Sequence, residues 1–393
     1  MAAAPPALPP ALRALLEAGG ELIRRSPSGR VALGRAHGTV TGAALPAALA
    51  DLPGALAAGR RAAATPLSAK DVERVLKRAW GAAPAKVLED LDPEPLAVTA
   101  VAQIHRARRD GEDVAVKVRR PGLAATVRSD LALLDALGAP LRQVFGALDT
   151  GAILREVRET VLDELDFEHE ASTQRRLRGV LRGVEGVLVA APDLALSTED
   201  VLVAELLDGP TLAEAEPEDP VEAARVLVAA HIAAARAGLA LPDARANHVV
   251  LMAGGRIGLL GTGLARPLDR DRAGAALDAL DALRRDDAAA FTAAVADRLA
   301  VLPPDAAGDA YTLIAELAGG LLSGPARLDE AALADAGERA LARMRAGLEL
   351  AALVRPLPAD LAAARSVAQL AALLARLGVS DDWGARLLEA RAA

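Results

Sequence analysis

The chain of 393 residues contains no cysteine. Disulfides, thiol nucleophiles and cysteine-ligated metals are therefore excluded. Aromatic residues are scarce, at 2%, although hydrophobic residues reach 52%. A core must then be assembled from Ala, Leu and Val. Ala-rich faces let helices approach closely, which favours a mainly helical protein. A basic excess is also missing: the formal net charge is −8, and no nucleic-acid partner is expected, because such binding needs a basic footprint. The local clusters Arg106, Arg108, Arg109 and Arg119, Arg120 sit beside acids or at strand ends and read as solvated surface. No uninterrupted apolar run reaches the length of a membrane span; the longest are broken by charges such as Asp51 and Arg365. Met1 to Pro10 is rich in Ala and Pro, without a basic region leading into an apolar one, so no signal peptide is read there. The expected location is the cytoplasm. The five histidines (37, 105, 169, 231, 248) lack paired ligand spacing. Lysine is the scarcest charged residue, at positions 70, 77, 86 and 117 only, with arginine supplying the rest of the 45 basic residues.

Elements follow from pattern and punctuation. Residues 7–25 read as an amphipathic helix ended by the Ser26-Pro27-Ser28-Gly29 turn. Ser68 followed by Asp71 starts a helix running to about Trp80. Residues 96–108 and 112–119 form a β-hairpin around Asp110-Gly111. Long helices are expected over 122–147 and 151–182, short strands at 186–190 and 200–206, and a helix over 220–237. A second hairpin is centred on Gly254-Gly255, and everything from 269 onward reads as amphipathic helix. This order predicts an α+β, mostly helical, bilobal architecture: a helical N-terminal extension over 1–90, a lobe with strands and inserted helices over 91–207, and a helical lobe over 208–393.

The chemistry centres on Val114-Ala115-Val116-Lys117-Val118, a strand after a hairpin turn. A lysine retained on a strand in an arginine-biased chain points to a need for a compact ammonium rather than a planar fork. This is the pattern of the strand whose lysine holds the α/β-phosphates of a kinase nucleotide. A surface lysine is the competing reading.

Around that strand the chain resembles the UbiB/AarF family of atypical kinases. Ala97-Val98-Thr99-Ala100-Val101-Ala102 resembles the Ala-rich loop that this family carries in place of a Gly-rich one, and Ala102-Gln103-Ile104-His105 resembles its end. Alanines in such a loop narrow the phosphate pocket. Glu164-Leu165-Asp166-Phe167-Glu168-His169-Glu170-Ala171 is similar to the family's helix motif. By that resemblance Glu170 pairs with Lys117, and Glu164 and Asp166 form the family's Glu-x-Asp signature. A solvated acidic helix face is the alternative. Leu196 to Gly209 is similar to the family's strand and hinge.

The resemblance fails at the catalytic centre. The family pattern His-Ala-Asp-Pro-His-Pro-Gly-Asn falls, without a gap, on Leu241-Pro242-Asp243-Ala244-Arg245-Ala246-Asn247-His248, and Leu-Leu-Asp-Phe-Gly falls on Leu259-Leu260-Gly261-Thr262-Gly263. Asp243 matches the catalytic-loop Asp, as a vestigial catalytic residue or an ordinary loop acid. His248 stands at the metal-holding Asn and Gly261 at the metal-binding Asp. Of the metal candidates, His248 is a poor oxygen-ligand substitute and Asn247 lies one residue out of register, so Mg²⁺ is not expected to be well held. Val40 and Ala43 stand where the family's N-terminal Lys-x-Gly-Gln signature has its Lys and Gln. The resemblance thus implies a pseudokinase that binds ATP, with a supporting role in isoprenoid-lipid or quinone metabolism and peripheral contact with a membrane. Two alternatives stay open: an active atypical ATPase or kinase with rearranged metal ligands, and a helical module that binds a lipid or protein and no nucleotide.

Overall fold

The computed structural model describes residues 65–99, 101–125, 127 and 149–391. The expectations for 7–25, Val40, Ala43, Ala100 and most of 122–147 lie outside these residues.

Helix α1 (Ala69–Trp80) begins at Ser68, whose side chain accepts the Asp71 N–H, and ends at Gly81 in the left-handed conformation. Strands β1 (Pro95–Val98), β2 (Ala102–Arg109) and β3 (Glu112–Arg119) follow. The stretch 96–108 is therefore two strands, not one. Thr99 makes the turn between them: its backbone N–H donates to the Ala102 carbonyl at 2.8 Å and its Oγ1 accepts the Ala102 N–H at 2.9 Å. Asp110 (φ 51°) and Gly111 (φ 83°) turn β2 into β3, the two left-handed positions that a two-residue hairpin demands. Strand β5 (Val201–Glu205) completes an antiparallel sheet of order β1-β2-β3-β5. Val72, Val75 and Leu76 of α1 pack on Val116, Val118, Val201 and Val203 of that sheet.

The helix expected over 151–182 is two helices, α2 (Thr150–Asp163) and α3 (Phe167–Leu181). The chain breaks at Glu164-Leu165-Asp166 because Asp166 leaves the helical conformation and caps α3, accepting the N–H groups of Glu168 and His169. The cap swings Phe167 into the core with Leu165, Ala171, Val101 and Ala102.

Strands β4 (Val187–Val189), β7 (Val249–Met252) and β8 (Arg256–Leu259) form a second sheet of order β4-β8-β7. Helix α4 (Pro220–Arg236) starts at the Asp219 cap with Pro220 in its first turn. A two-stranded ladder, β6 (Leu239–Ala240) with β9 (Arg266–Pro267), brackets the segment that carries Asp243 and Gly261. Beyond it come α5 (Arg270–Arg284), α6 (Ala288–Thr292), α7 (Pro304–Leu322), α8 (Glu330–Ala342), α9 (Met344–Ala351), α10 (Pro358–Leu377) and α11 (Trp383–Leu388). This lobe is not wholly helical: Ala326–Arg327 pairs with Ser380–Asp381. Helices α4, α10 and α11 share one core, with Val226, Leu227, Leu370, Leu373, Leu374 and Trp383 in it. Among the described residues no helix is long and apolar enough to cross a membrane.

Candidate functional site

Lys117 lies on β3, in register with Ile104 of β2 and Leu202 of β5. The pleat turns Val116 and Val118 into the core and sends Lys117 to the opposite face. There its Nζ donates to both carboxylate oxygens of Glu170, at 2.9 and 2.6 Å. Nζ also stands 4.3 Å from the centroid of the Phe167 ring, close enough for a cation–π attraction. The lysine is thus held by a carboxylate and a ring that both come from the first turn of α3. The contribution of Phe167 follows from a tertiary contact that the motif alone does not reveal.

Glu170 is held from behind by Gly263. A Cβ built on Gly263 would stand 2.6 Å from Glu170 Cγ, so a side chain there would push the carboxylate off its lysine. Gly261 has φ +66°, and a Cβ on it would lie 2.2 Å from His248 Nδ1. The imidazole of His248 fills the space into which a side chain at 261 would project.

Asp243 is buried, at 4% exposure, and surrounded by cations. Arg245 Nε stands 3.0 Å from its Oδ1, and Arg365 Nη2, from α10, stands 3.5 Å from the same oxygen. His248 Nδ1 lies 2.9 Å from the Asp243 backbone carbonyl, and its Nε2 lies 3.2 Å from Arg245 Nη2. One neutral tautomer satisfies both contacts, with Nδ1–H donating to the carbonyl and Nε2 accepting from the guanidinium. Neither ring nitrogen is then left to ligate a metal. Asn247 is exposed at the surface, and Gly261 offers no ligand. Among the described residues no group of three His, Asp or Glu side chains could hold a metal. The residues present do not fit a Mg²⁺ centre of the kinase type.

Burial lowers the pKa of Arg365. The Asp243 charge opposes that shift, and the charges of Arg245 and Arg266 reinforce it. Arg266 itself pairs with Asp163, at the end of α2, at 2.9 Å. Helix α10 is further tied to the loop by the Leu241 N–H, which donates to Ser366 Oγ at 3.1 Å.

The remaining residues of the sequence reading divide. Asp166 is a helix cap. Glu164 sits half-buried in the turn before it. Val101 and Ala102 belong to the core around Phe167, whereas Ala97 and Thr99 are exposed and Val98 half-buried. Arg119, expected as solvated surface, is buried at 8% exposure. It donates to the Leu165 carbonyl, to Asp200 at 2.8 Å and to Glu199 at 3.0 Å, and so holds the turn between α2 and α3. Gln103 and His105 form a buried chain: the Leu67 N–H donates to Gln103 Oε1 at 2.6 Å, Gln103 Nε2 to His105 Nε2 at 2.9 Å, and His105 Nδ1 to the Asp92 carbonyl at 2.7 Å.

Comparison with known proteins bears on this geometry. The model of the ABC1 atypical kinase-like domain matches residues 60–293, more than half of the chain. The chain belongs to the UbiB/AarF family. A probable protein kinase UbiB of Pseudomonas putida is 36% identical over 148 residues, which are 37% of this chain and 28% of that protein. The AarF domain-containing protein kinase 1 of Xenopus tropicalis is 29% identical over 140 residues, 35% of this chain and 27% of that protein. The matched stretches are thus well under half of those relatives. A solved structure, the Rv3197–erythromycin complex from Mycobacterium tuberculosis, superposes with a TM-score of 0.61 at 21% identity, over 82% of this chain and 83% of that one; that likeness concerns the fold. The Lys117–Glu170 pair lies within the stretch that matches the family model.

Proposed function

We propose that this UbiB/AarF-family chain is a pseudokinase that binds a nucleoside triphosphate, ATP by expectation, and does not transfer its phosphoryl group. The observation that carries the reading is the Lys117–Glu170 pair, at 2.6 Å, standing beside metal positions occupied by glycine and by a histidine with both nitrogens engaged. The pair is the part of a kinase-like site that orients an ammonium toward α/β-phosphates. The carboxylate that bridges metal and phosphates is the part that turns a bound nucleotide into a reactive one. A role in support of isoprenoid-lipid or quinone metabolism, at a membrane surface, belongs to the same proposal.

Thermal unfolding with ATP tests it. A ligand at about a hundred times its Kd adds roughly 2.7 kcal/mol to stability. The expected result is an ATP-dependent rise in Tm that Lys117→Ala abolishes, together with steady-state ATP turnover indistinguishable from background. Turnover that requires Mg²⁺ and disappears in Asp243→Asn would overturn the pseudokinase reading. No ATP-dependent shift at any concentration would turn the reading toward a helical binding module.

A further inference from the structure

We propose that Arg120 is a positioning residue for the nucleotide's phosphates: it pins the turn between β1 and β2 and, through the Phe167 ring, sets the place of the Lys117 ammonium. The proposal rests on the nucleotide-binding reading and names the group that prepares its phosphate side.

Three observations support it. The first is what the guanidinium holds. Arg120 directly follows β3 and is half-buried. Its backbone N–H donates to the Val101 carbonyl at 2.9 Å and its Nε to the Thr99 carbonyl at 3.0 Å, so two carbonyls of the turn are tied to one residue. Its Nη2 donates to the Thr65 carbonyl at 2.9 Å, in the chain leading into α1. Among the described residues no carboxylate pairs with Arg120. An arginine that only balanced surface charge would sit on an acid, as Arg106 does with Asp208 and Arg119 with Asp200. This one is a fork across two segments of chain, a geometry that the point charge of a lysine matches poorly. The second observation is closure. Thr99 Oγ1 accepts the N–H groups of Val101 at 3.2 Å and Ala102 at 2.9 Å, and the Thr99 N–H donates to the Ala102 carbonyl at 2.8 Å. A displacement of the Thr99 carbonyl is therefore passed on to Val101 and Ala102. The third is a packed relay to the lysine. Ala102 is in register with Arg119, two positions from Lys117, roughly 7 Å along the strand. Val101 and Ala102 share a buried cluster with Phe167, and the Phe167 ring stands 4.3 Å from Lys117 Nζ. Close-packed interiors transmit such shifts rather than absorb them.

A brace that merely stabilised the fold would lower stability throughout. A positioning residue changes one place, the contact of turn, ring and ammonium, and changes ligand affinity with it. The turn falls within the stretch 97–102 that the nucleotide reading sets over the phosphates, so an altered turn bears on the ligand from two sides, as loop and as support for Lys117.

The test has two arms, both on the full chain. In the first, calorimetric titration with ATP compares the parent with Arg120→Gln, Arg120→Lys and Thr99→Val. Arg120→Gln should weaken binding about tenfold. Arg120→Lys should recover part of the loss, because an ammonium still reaches one carbonyl. Thr99→Val, at an exposed position, should weaken binding in the same direction. In the second arm the three phenylalanines are replaced by para-fluorophenylalanine and fluorine NMR spectra are recorded without ligand. The Phe167 line, assigned through Phe167→Leu, should move in Arg120→Gln, and the line of Phe291, which belongs to a separate core, should stay. Circular dichroism and Tm establish that each variant is folded, and Thr99→Val carries both arms if Arg120→Gln does not fold. If ATP binds the parent and the Arg120 and Thr99 variants bind it equally well, Arg120 is only a brace, and this inference fails while the nucleotide reading stands. It fails in the same way if affinity falls with the Phe167 line unmoved, or with the Phe291 line moving alongside it. If the parent binds no ATP at any concentration, the nucleotide reading falls and this inference falls with it.

Discussion

Introducing aspartate at Gly261 would supply the carboxylate whose loss the pseudokinase proposal invokes, and the structure sets its cost. Two terms act. The backbone at 261 has φ +66°, where a non-glycine residue costs on the order of 1 kcal/mol, and aspartate is among those that tolerate it. The new Cβ would also stand 2.2 Å from His248 Nδ1 and 2.7 Å from Cε1. The imidazole cannot yield freely, because it is fixed to the Asp243 carbonyl and to Arg245. Overpacking of this kind costs roughly 1–3 kcal/mol. Gly261→Asp alone should therefore destabilise the fold by about 2–4 kcal/mol. His248→Asn alone loses a hydrogen bond, worth about 0.5–1.5 kcal/mol. In the double variant the ring is gone and only the backbone term and the lost bond remain. The two changes should then be non-additive by about 1–3 kcal/mol, with the double variant more stable than the sum of the singles implies. Urea unfolding of all four proteins measures this, provided the slopes agree. Additivity within about 0.5 kcal/mol would refute the claim that His248 occupies the space denied to a side chain at 261.

Three further outcomes are expected. Arg119→Ala should destabilise by about 2–3 kcal/mol, because it orphans the Leu165 carbonyl and removes the buried partner of Asp200; an unchanged Tm would show that this network holds nothing in place. Gly263→Ala should displace Glu170 from Lys117 and weaken ATP-dependent stabilisation more than it lowers the Tm of the ligand-free protein, and the reverse ordering would argue against a positioning role for the glycine. His231 is buried with its pKa lowered, by desolvation first. The unfolded chain then takes up a proton at this position below about pH 6.5 that the folded chain refuses, so stability at this position falls as the solution is acidified through that range. His231→Leu should flatten the slope of stability against pH between about 5 and 7, and an unaltered slope would assign the acid sensitivity to other groups.

Much of the fold was legible because its signals are local. Ser68, Asp110-Gly111 and the hairpin at Gly254-Gly255 fix their own elements through caps and turns, and the structure has them where the sequence places them. The single helix drawn over 151–182 failed because its acidic run hides a cap: Asp166 reads as one more surface acid until its side chain is seen to take the N–H groups of Glu168 and His169. The Lys117–Glu170 pair was legible as a motif, since strand and helix each carry their own pattern. The arginine cluster was not. Arg365 lies far along the chain on a helix whose composition resembles the other helices around it, and its contact with Asp243 exists only once α10 has docked. Arg119 was misread for a related reason: a basic residue at a strand end has no sequence signal that distinguishes solvent from a buried carbonyl.

The docking of α10 has a consequence for where this protein can be cut. Recognisable similarity to the ABC1 atypical kinase-like domain stops at residue 293, yet Ser366 holds the Leu241 backbone, Asp360 takes both prongs of the Arg272 guanidinium, and Leu370, Leu373, Leu374 and Trp383 complete the core that α4 begins. A fragment ended at the limit of similarity would lay that face of α4 open to water and release one wall of the loop that carries Asp243. The segment that homology detects and the segment that folds are different lengths of chain, and the longer one is the unit on which any inherited function depends.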